Sequence, residues 1–421
     1  MLKKLKPKSE FSRSVLTLMT GTTIAQAIPI AISPILTRIY TPEDFGVFAL
    51  YMSLAVIFSV IVTGRYELAI MLPKKDSDAV YIVFLSVLIT LIMSVLTFLI
   101  MFFFNANITN LLGNRDISNW LYFIPISVFL SGIYQSLSYW KNRKKGYNEI
   151  AISRVSQSST GATSNLLLGY SGFGSAGLIL SSIVSQVVAT VILGKSSFDK
   201  HKKVKRVSKT KLIALAKKYK KFPIYNTQHA LVNIVFSQMP IFIFSKFFNA
   251  SMMGYYALSI RVIQTPISIM GSAFGNVLYE KIVNKRNNKQ KYMSQIYKFL
   301  QTQILLAIVL FLSIYFLSNY MEIIFGKNWS EVGVYIKLLI PWLFMVFMVS
   351  PLAFSINMTS NQAKGLFLEW VYGGIKLGSL LLGAIYFADV HMTLIIFSIA
   401  NALFLMYQGT WFINLLKKEE K

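Results

Sequence analysis

Three side chains set the chemical question. Arg154, Arg261 and Lys376 lie inside long runs that otherwise suit a bilayer: ISRVSQSSTGATSNLLLGY at 152–170, LSIRVIQTPISIMG at 258–271 and VYGGIKLGSLLLG at 371–383. A cation at that depth costs at least about 2.5–3.5 kcal/mol on insertion scales, so it normally faces a bundle interior or water. Its simplest chemistry is to hold an anion, with no covalent step. No acidic residue is equally deep, because Glu369 is near the start of its run and Glu67 follows the second one. The interior is therefore expected to be net positive, favouring an anionic headgroup over a cationic drug.

The run at 152–170 is the most polar of the three. Arg154, Gln157, Thr160, Gly161 and Ser164 or Asn165 recur at three-to-four spacing, which makes one helix face polar. Two arrangements satisfy such a face. Ser158, Thr160, Gly161 and Ser164 can pack helix against helix, whereas Arg154 and Gln157 call for a water-filled cavity, unless Arg154 snorkels to the near interface. Gln26, Gln135, Gln228, Asn233, Gln238 and Gln264 are further candidates for a hydrated surface or for bonds between helices. Pro29, Pro34, Pro240 and Pro266 interrupt helical hydrogen bonds where a moving transporter could bend, or where a static helix is merely kinked.

The elements that must position these groups are membrane helices. The chain of 421 residues is 55% hydrophobic with 32 Phe, and its mean hydropathy is +0.56, well above a soluble protein. Turn and charge signals place twelve spans near 14–36, 44–64, 79–103, 120–140, 150–170, 173–194, 224–246, 252–278, 296–317, 334–356, 366–387 and 392–412. With the N-terminus inside, 34 of the 42 Lys and Arg fall on predicted cytoplasmic segments, which places both termini in the cytoplasm. YWKNRKK at 139–145 shows the pattern: Trp140 reads as an interfacial ring, and Lys141, Arg143, Lys144 and Lys145 hold that end in the cytosol.

The longest cytoplasmic segment, basic and centred on KSSFDKHKKVKRVSKTK, separates two sets of six spans. The expected organisation is a six-helix lobe at 1–194, a solvated basic linker at 195–222 and a second six-helix lobe at 223–421. IYTPEDFGVFAL at 39–50 and FFNASMMGYYAL at 247–258 form a weak repeat at a spacing of 208 residues, in keeping with two lobes related by an axis along the membrane normal. In the first copy Thr41 caps a helix, Pro42 fits its first position and Asp44 its first turn; in the second, Asn249 or Ser251 caps.

Composition also excludes chemistry. The net charge of +26 would suggest nucleic acid in a soluble protein, but here topology accounts for it, and no nucleic-acid partner is expected. Zero cysteines remove disulfides and thiolate chemistry, and His201, His229 and His391 have no metal spacing. No cleavable signal peptide, phosphate-cradling glycine loop or cluster of extramembrane carboxylates is evident. With short outer loops throughout, neither an enzyme nor a cofactor is expected.

LLGNRDISNWLYFIPISVFLSGIYQSLSYWKNRKKGY at 111–147 resembles the polysaccharide-biosynthesis flippases, the Wzx or O-antigen translocase family, as do SPILTRIYTPEDFG at 33–46, GRYELAIMLP at 64–73 and FGKNWSEVGVYIKLLIPW at 325–342. The resemblance covers nearly the whole chain. It places the protein in the multidrug/oligosaccharidyl-lipid/polysaccharide exporter (MOP) superfamily and implies an all-α polytopic membrane protein with twelve transmembrane helices in two six-helix lobes, a V-shaped MATE-like fold around a cationic cavity. The substrate it implies is an undecaprenyl-diphosphate-linked oligosaccharide, moved across the bacterial inner membrane from the cytoplasmic to the outer leaflet under an ion gradient or membrane potential. Implied partners are membrane lipids, glycosyltransferases, a glycan polymerase and a chain-length regulator. On this reading Arg154, Gln157, Arg261, Lys376, Gln26 and Gln264 line the cavity, and Arg65, Tyr66 and Glu67, matching the family's RYE-type segment, are cytoplasmic gate or substrate-contact candidates. The alternatives are a multidrug or cation antiporter of the same superfamily, which would prefer buried carboxylates, a membrane-embedded glycan-assembly enzyme, and a nontransporting assembly factor.

Overall fold

The structure, a computed structural model, describes residues 10–198 and 208–420. His201, the basic stretch 199–207 and the N-terminal lysines lie outside the described residues. Among the described residues twelve helices reach 18 residues or more: α1 (Glu10–Ile39), α2 (Pro42–Ile61), α3 (Asp76–Phe103), α4 (Ile124–Arg143), α5 (Tyr147–Tyr170), α6 (Gly174–Phe198), α7 (Thr227–Phe247), α8 (Ala250–Asn287), α9 (Met293–Leu317), α10 (Glu331–Val349), α11 (Gln362–Leu381) and α12 (Val390–Glu420). Each overlies one expected span. Ten lie within segments long and apolar enough to cross a membrane, while α5 and α8 are long enough but too polar to qualify by composition. The two exceptions contain Arg154 with Gln157 and Arg261 with Gln264.

The chain forms two compact units, Met1–Val235 and Phe236–Lys421, which part within α7. In the first unit the expected turn is present. The Asp44 amide donates to Thr41 Oγ1 at 3.2 Å, and the Thr41 amide donates to Asp44 Oδ2 at 2.9 Å, forming a reciprocal cap at the start of α2. Of the two candidates in the second copy, Asn249 is the cap of α8, its Oδ1 accepting from the Met252 amide at 2.9 Å. Between the first two helices the Tyr40 hydroxyl donates to the Asn165 carbonyl at 2.7 Å, and burial, with Asp44 nearby, pushes this phenol up to about 12.

Helices α1 and α5 touch along backbone. A Cβ on Gly21 would lie 2.4 Å from Ala151 Cβ and 3.1 Å from its Cα, so only glycine permits the approach. Pro29 has no N–H for the carbonyl of Ala25, one turn earlier. The Ser158 hydroxyl of α5 donates to that carbonyl instead, at 2.7 Å. The second unit repeats the device: Pro351 leaves the Phe347 carbonyl without its helical donor, and Gln303 Nε2 of α9 fills the place at 2.7 Å.

The basic end of α4 differs from its reading as an interfacial anchor. Trp140 is buried in a core cluster with Tyr66, Ile70, Ile82 and Leu215. Lys141 is buried too, its ammonium donating to the Ser196 carbonyl near the end of α6 at 2.8 Å and lying 3.5 Å from Glu149. Arg143 spreads its guanidinium over the carbonyls of Ile70 and Met71 at 3.1 Å and Pro73 at 2.7 Å, with Nε 3.0 Å from Asp76 Oδ1. These carbonyls end the short helix Tyr66–Met71 and its exit turn, where no amide is left to pair with them. A lysine has no planar fork to span them. Arg143→Lys is therefore expected to destabilise segment 62–76 by about 1–3 kcal/mol, measured as faster amide hydrogen exchange there with the remaining helices unaffected.

The expected solvated linker contains a packed helix. Ser208 caps a helix at Lys209–Lys218 that packs on α3, with Lys211 2.6 Å from Asp78 and 4.8 Å from the Tyr81 ring centroid. Leu215 is the buried contact, and it closes the same cluster that holds Trp140.

In the second unit the 325–342 motif is a packing device. Trp329 is fully buried, Tyr255 meets both Trp329 and Tyr335 edge-on at 6.0 and 5.8 Å, and Gly333 lies against the Ser318 carbonyl. At the other end of the unit, Glu420 at the end of α12 accepts from the Tyr292 and Met293 amides at the start of α9, the latter at 2.7 Å, while Arg286 pairs with Glu419. Removing this acidic cap with Glu420→Ala is expected to lower stability by about 1 kcal/mol, seen as a lower melting temperature in detergent that Glu420→Gln restores in part.

Candidate functional site

In the first unit Gln157 projects from α5 into a cavity of about 540 Å³ that Arg65, Gln135 and Gln186 also line, with Ser59, Ser127, Ser131, Ser182 and Ser185. The lining amides already hold one another. Gln157 Nε2 donates to Gln186 Oε1, and Gln135 Nε2 donates to the Ser59 carbonyl and to Ser131 Oγ, both at 3.1 Å. Tyr51 and Ser127 share a hydrogen bond at 2.6 Å. A polar chamber thus exists inside the first bundle, cross-linked through its own side chains.

Arg65, Tyr66 and Glu67 have three different placements. Arg65 adopts a left-handed backbone, φ 59°, and its Nη1 lies 3.5 Å from Glu67 Oε1, while its buried Nε has no hydrogen-bond partner. Glu67 is fully buried and accepts from Thr63 Oγ1. Tyr66 is buried, its hydroxyl donating to the Ala216 carbonyl of the linker helix at 3.0 Å; burial raises its pKa. Of the three, Arg65 lines the cavity, whereas the other two side chains are occupied by protein.

Arg154 is not among the residues lining that cavity. Its Nη1 donates to Thr22 Oγ1 of α1 at 2.6 Å, on the face of α5 turned to the first helix. Gln26 is exposed, on α1.

The second unit holds the other cations. Lys376 is half-buried on α11, with its ammonium 4.1 Å from the centroid of Tyr372 and 6.0 Å from that of Trp342. Trp342 Nε1 donates to the Tyr372 hydroxyl at 2.9 Å, and Tyr372 stacks on Phe404 with an interplanar angle of 11° and centroids 5.2 Å apart. Two fixed ring faces therefore share one cation. A cation over a ring is worth about 0.5–2 kcal/mol between exposed and desolvated settings, which offsets part of the insertion cost of the charge. Tyr372 is one turn before Lys376, so i, i+4 spacing was a usable signal for this contact; Trp342 belongs to another helix and carried none. Arg261 is half-buried on α8, and the hydroxyl of Thr265 folds back on its carbonyl at 2.9 Å. Gln264 lines a separate cavity of about 630 Å³, whose lining includes neither Arg261 nor Lys376. Among the described residues no group of three or more His, Asp or Glu is arranged to hold a metal ion.

Comparison with known proteins agrees with this helical plan. The family described as polysaccharide biosynthesis protein matches residues 35–333. The succinoglycan biosynthesis transport protein ExoT of Rhizobium meliloti (strain 1021) is 23% identical over 303 residues, 70% of this chain; the match spans 59% of that relative's length. Among solved structures, the lipid II flippase MurJ in an inward closed conformation superposes with a TM-score of 0.71 at 14% identity, over 97% of this chain and 90% of that one. A multidrug resistance MATE family transporter of the MOP superfamily, in its inward-facing conformation, gives 0.61 at 13% identity, over 96% and 95%. The chain belongs to the polysaccharide biosynthesis protein family, as a multi-pass membrane protein whose fold is that of the MATE and MurJ structures.

Proposed function

We propose that the protein is a flippase that moves an undecaprenyl-diphosphate-linked oligosaccharide from the cytoplasmic to the outer leaflet of the bacterial inner membrane. The observation that carries the proposal is the polarity of α5 and α8, the two long helices of twelve that fall short of a membrane span by composition. Each bears an arginine within its span together with a glutamine, Arg154 with Gln157 and Arg261 with Gln264. Polar helices within a membrane bundle serve a hydrated path. Arg261 and Lys376, cations deep within spans of the second unit, stabilise a diphosphate as it leaves bulk water.

The mechanism is alternating access: the anionic headgroup binds from the cytoplasmic side, the lipid tail stays in hydrocarbon, and a change of conformation opens the site to the other side. All twelve long helices cross the membrane in two lobes of six, both termini are cytoplasmic, and an ion gradient or the membrane potential drives the cycle. Membrane lipids surround the protein, and a glycan polymerase with its chain-length regulator consumes the product.

Reconstitution tests the proposal. Purified protein in vesicles loaded with the lipid-linked oligosaccharide of its own cell should expose the glycan to an external, membrane-impermeant glycosidase faster than vesicles without protein. Transport of a cationic dye in place of the glycan would point to a drug antiporter and overturn the reading.

A further inference from the structure

A cavity in the second unit differs in chemistry from the cationic groups of that unit. Gln264, Asn276 and Asn357 offer carboxamides, Ser350 a hydroxyl, and Tyr279 and Phe354 form one wall, their rings tilted at 59° with centroids 5.4 Å apart. Among the described residues no Asp, Glu, Lys or Arg lines it. Its volume of about 630 Å³ falls in the range of small-molecule sites, roughly 300–1,000 Å³.

The state of the amides distinguishes this cavity from the one in the first unit. There, Gln157 donates to Gln186, and Gln135 donates to the Ser59 carbonyl and to Ser131. Here the side chains of Gln264, Asn276 and Asn357 make no hydrogen bond to the described residues, and all three are exposed and line the cavity. Each carboxamide has two donors and an acceptor with two lone pairs available. Two glycines one turn apart on α8 keep the space open. A Cβ on Gly271 would lie 3.1 Å from Ser350 Oγ, and one on Gly275 3.4 Å from Pro351 Cα.

Free carboxamides beside aromatic faces, with no charge, match a molecule rich in hydroxyls whose C–H faces are apolar. We propose that this cavity binds uncharged sugar residues, and that it is the saccharide subsite of the transporter. The inference rests on the flippase reading for its physiological ligand, but not for its chemistry. Vicinal hydroxyls pair with Asn276, Asn357 and Gln264, and a pyranose C–H face lies on Tyr279 or Phe354. Glycan and diphosphate are then held by separate groups, the sugar by neutral amides here and the phosphates by Arg261 and Lys376.

Binding of two soluble probes tests this. The first is the reducing oligosaccharide released by mild acid from the lipid-linked unit of the same cell; the second is that oligosaccharide carrying a terminal phosphate. Calorimetry on the purified full chain should show the neutral probe binding, with affinity at least tenfold weaker in the Asn276→Ala/Asn357→Ala variant and unchanged in Arg261→Gln/Lys376→Gln. Should the double alanine variant fail to fold, Gln264→Ala at an exposed position answers the same question, with at least a threefold loss expected. No binding of the neutral probe, or equal binding by wild type and the folded cavity variants, overturns the proposal. Failure of the flippase reading has another signature: the phosphate adds nothing to affinity and no glycan crosses the vesicle, whatever the neutral probe does.

Discussion

If the proposed function holds, translocation of the lipid-linked oligosaccharide is expected to fall at least about tenfold when Arg261 and Lys376 are both changed to glutamine. A hydrogen bond to a charged group contributes about 1.5–3 kcal/mol, and each 1.36 kcal/mol lost from the transition state is tenfold in rate, so two such contacts leave little transport if both act on the diphosphate. Lys376→Gln also removes the cation shared by Tyr372 and Trp342. The rings remain bonded to each other through Trp342 Nε1, so the variant keeps its aromatic scaffold. Lys376→Arg, which preserves charge and the affinity for ring faces, should recover part of the rate. The comparison that decides the matter is the initial rate of glycan exposure in vesicles containing equal amounts of folded protein. Wild-type transport by a well-folded double variant would remove both residues from the substrate path.

The second large effect is on folding. Gly333→Ala should lower the yield of folded protein and its melting temperature, because the new Cβ would meet the Ser318 carbonyl oxygen at 2.2 Å and its carbon at 3.3 Å. That obstacle is backbone and has no rotamer to adopt. Helix α10 or the turn after α9 must shift, and overpacking of this kind costs about 1–3 kcal/mol, with the upper end expected where the backbone itself must yield. Gly374→Ala is the matched control: nothing lies within 4 Å of its added Cβ, and alanine in a helix interior gains up to about 1 kcal/mol over glycine. Thermal unfolding in detergent should separate the two variants with opposite signs, and equal melting temperatures would contradict the contact.

The helical plan was legible because hydrocarbon demands long apolar helices, and ten such stretches stand out along this chain, with α5 and α8 marked by their length and spacing instead. Thr41 could be identified as a cap, and Asn249 as one of two candidates with Ser251, because a cap is a local event within four residues. What escaped was whatever depends on a partner distant in sequence. Trp140 resembles an interfacial ring until Leu215, 75 positions later, closes over it. The basic run after it looks like a topogenic signal, whereas Lys141 and Arg143 are engaged with carbonyls at 196 and 70–73. Neighbouring glycines in VYGGIK are indistinguishable by type, but Gly373 faces the Phe236 ring, 2.3 Å from an added Cβ, and Gly374 faces open space.

The site was legible in kind and not in grouping. A cation in an apolar run announces itself by its cost, so Arg154, Arg261 and Lys376 could be singled out, but helix rotation decides which cavity a residue lines. Gln157 lines a chamber with Arg65, and Arg154, three residues earlier, faces α1. The free carboxamides of the second unit were missed, Gln264 excepted, because Asn276 and Asn357 look like helix-end residues until α8 and the turn after α10 bring them together.

The proline carbonyls of α1 and α10 bear on how the chain is made. Ser158 emerges from the ribosome 133 residues after Ala25, a delay of roughly seven to twenty-seven seconds at common rates of synthesis. During that interval the first helix has an unsatisfied oxygen, and water, lipid headgroups or an insertion chaperone must shelter it. In the second unit the order is reversed: Gln303 is synthesised 44 residues before Phe347, so the donor is already waiting. Nascent chains halted before residue 158 should therefore be more exposed to quality-control proteases than those halted after it.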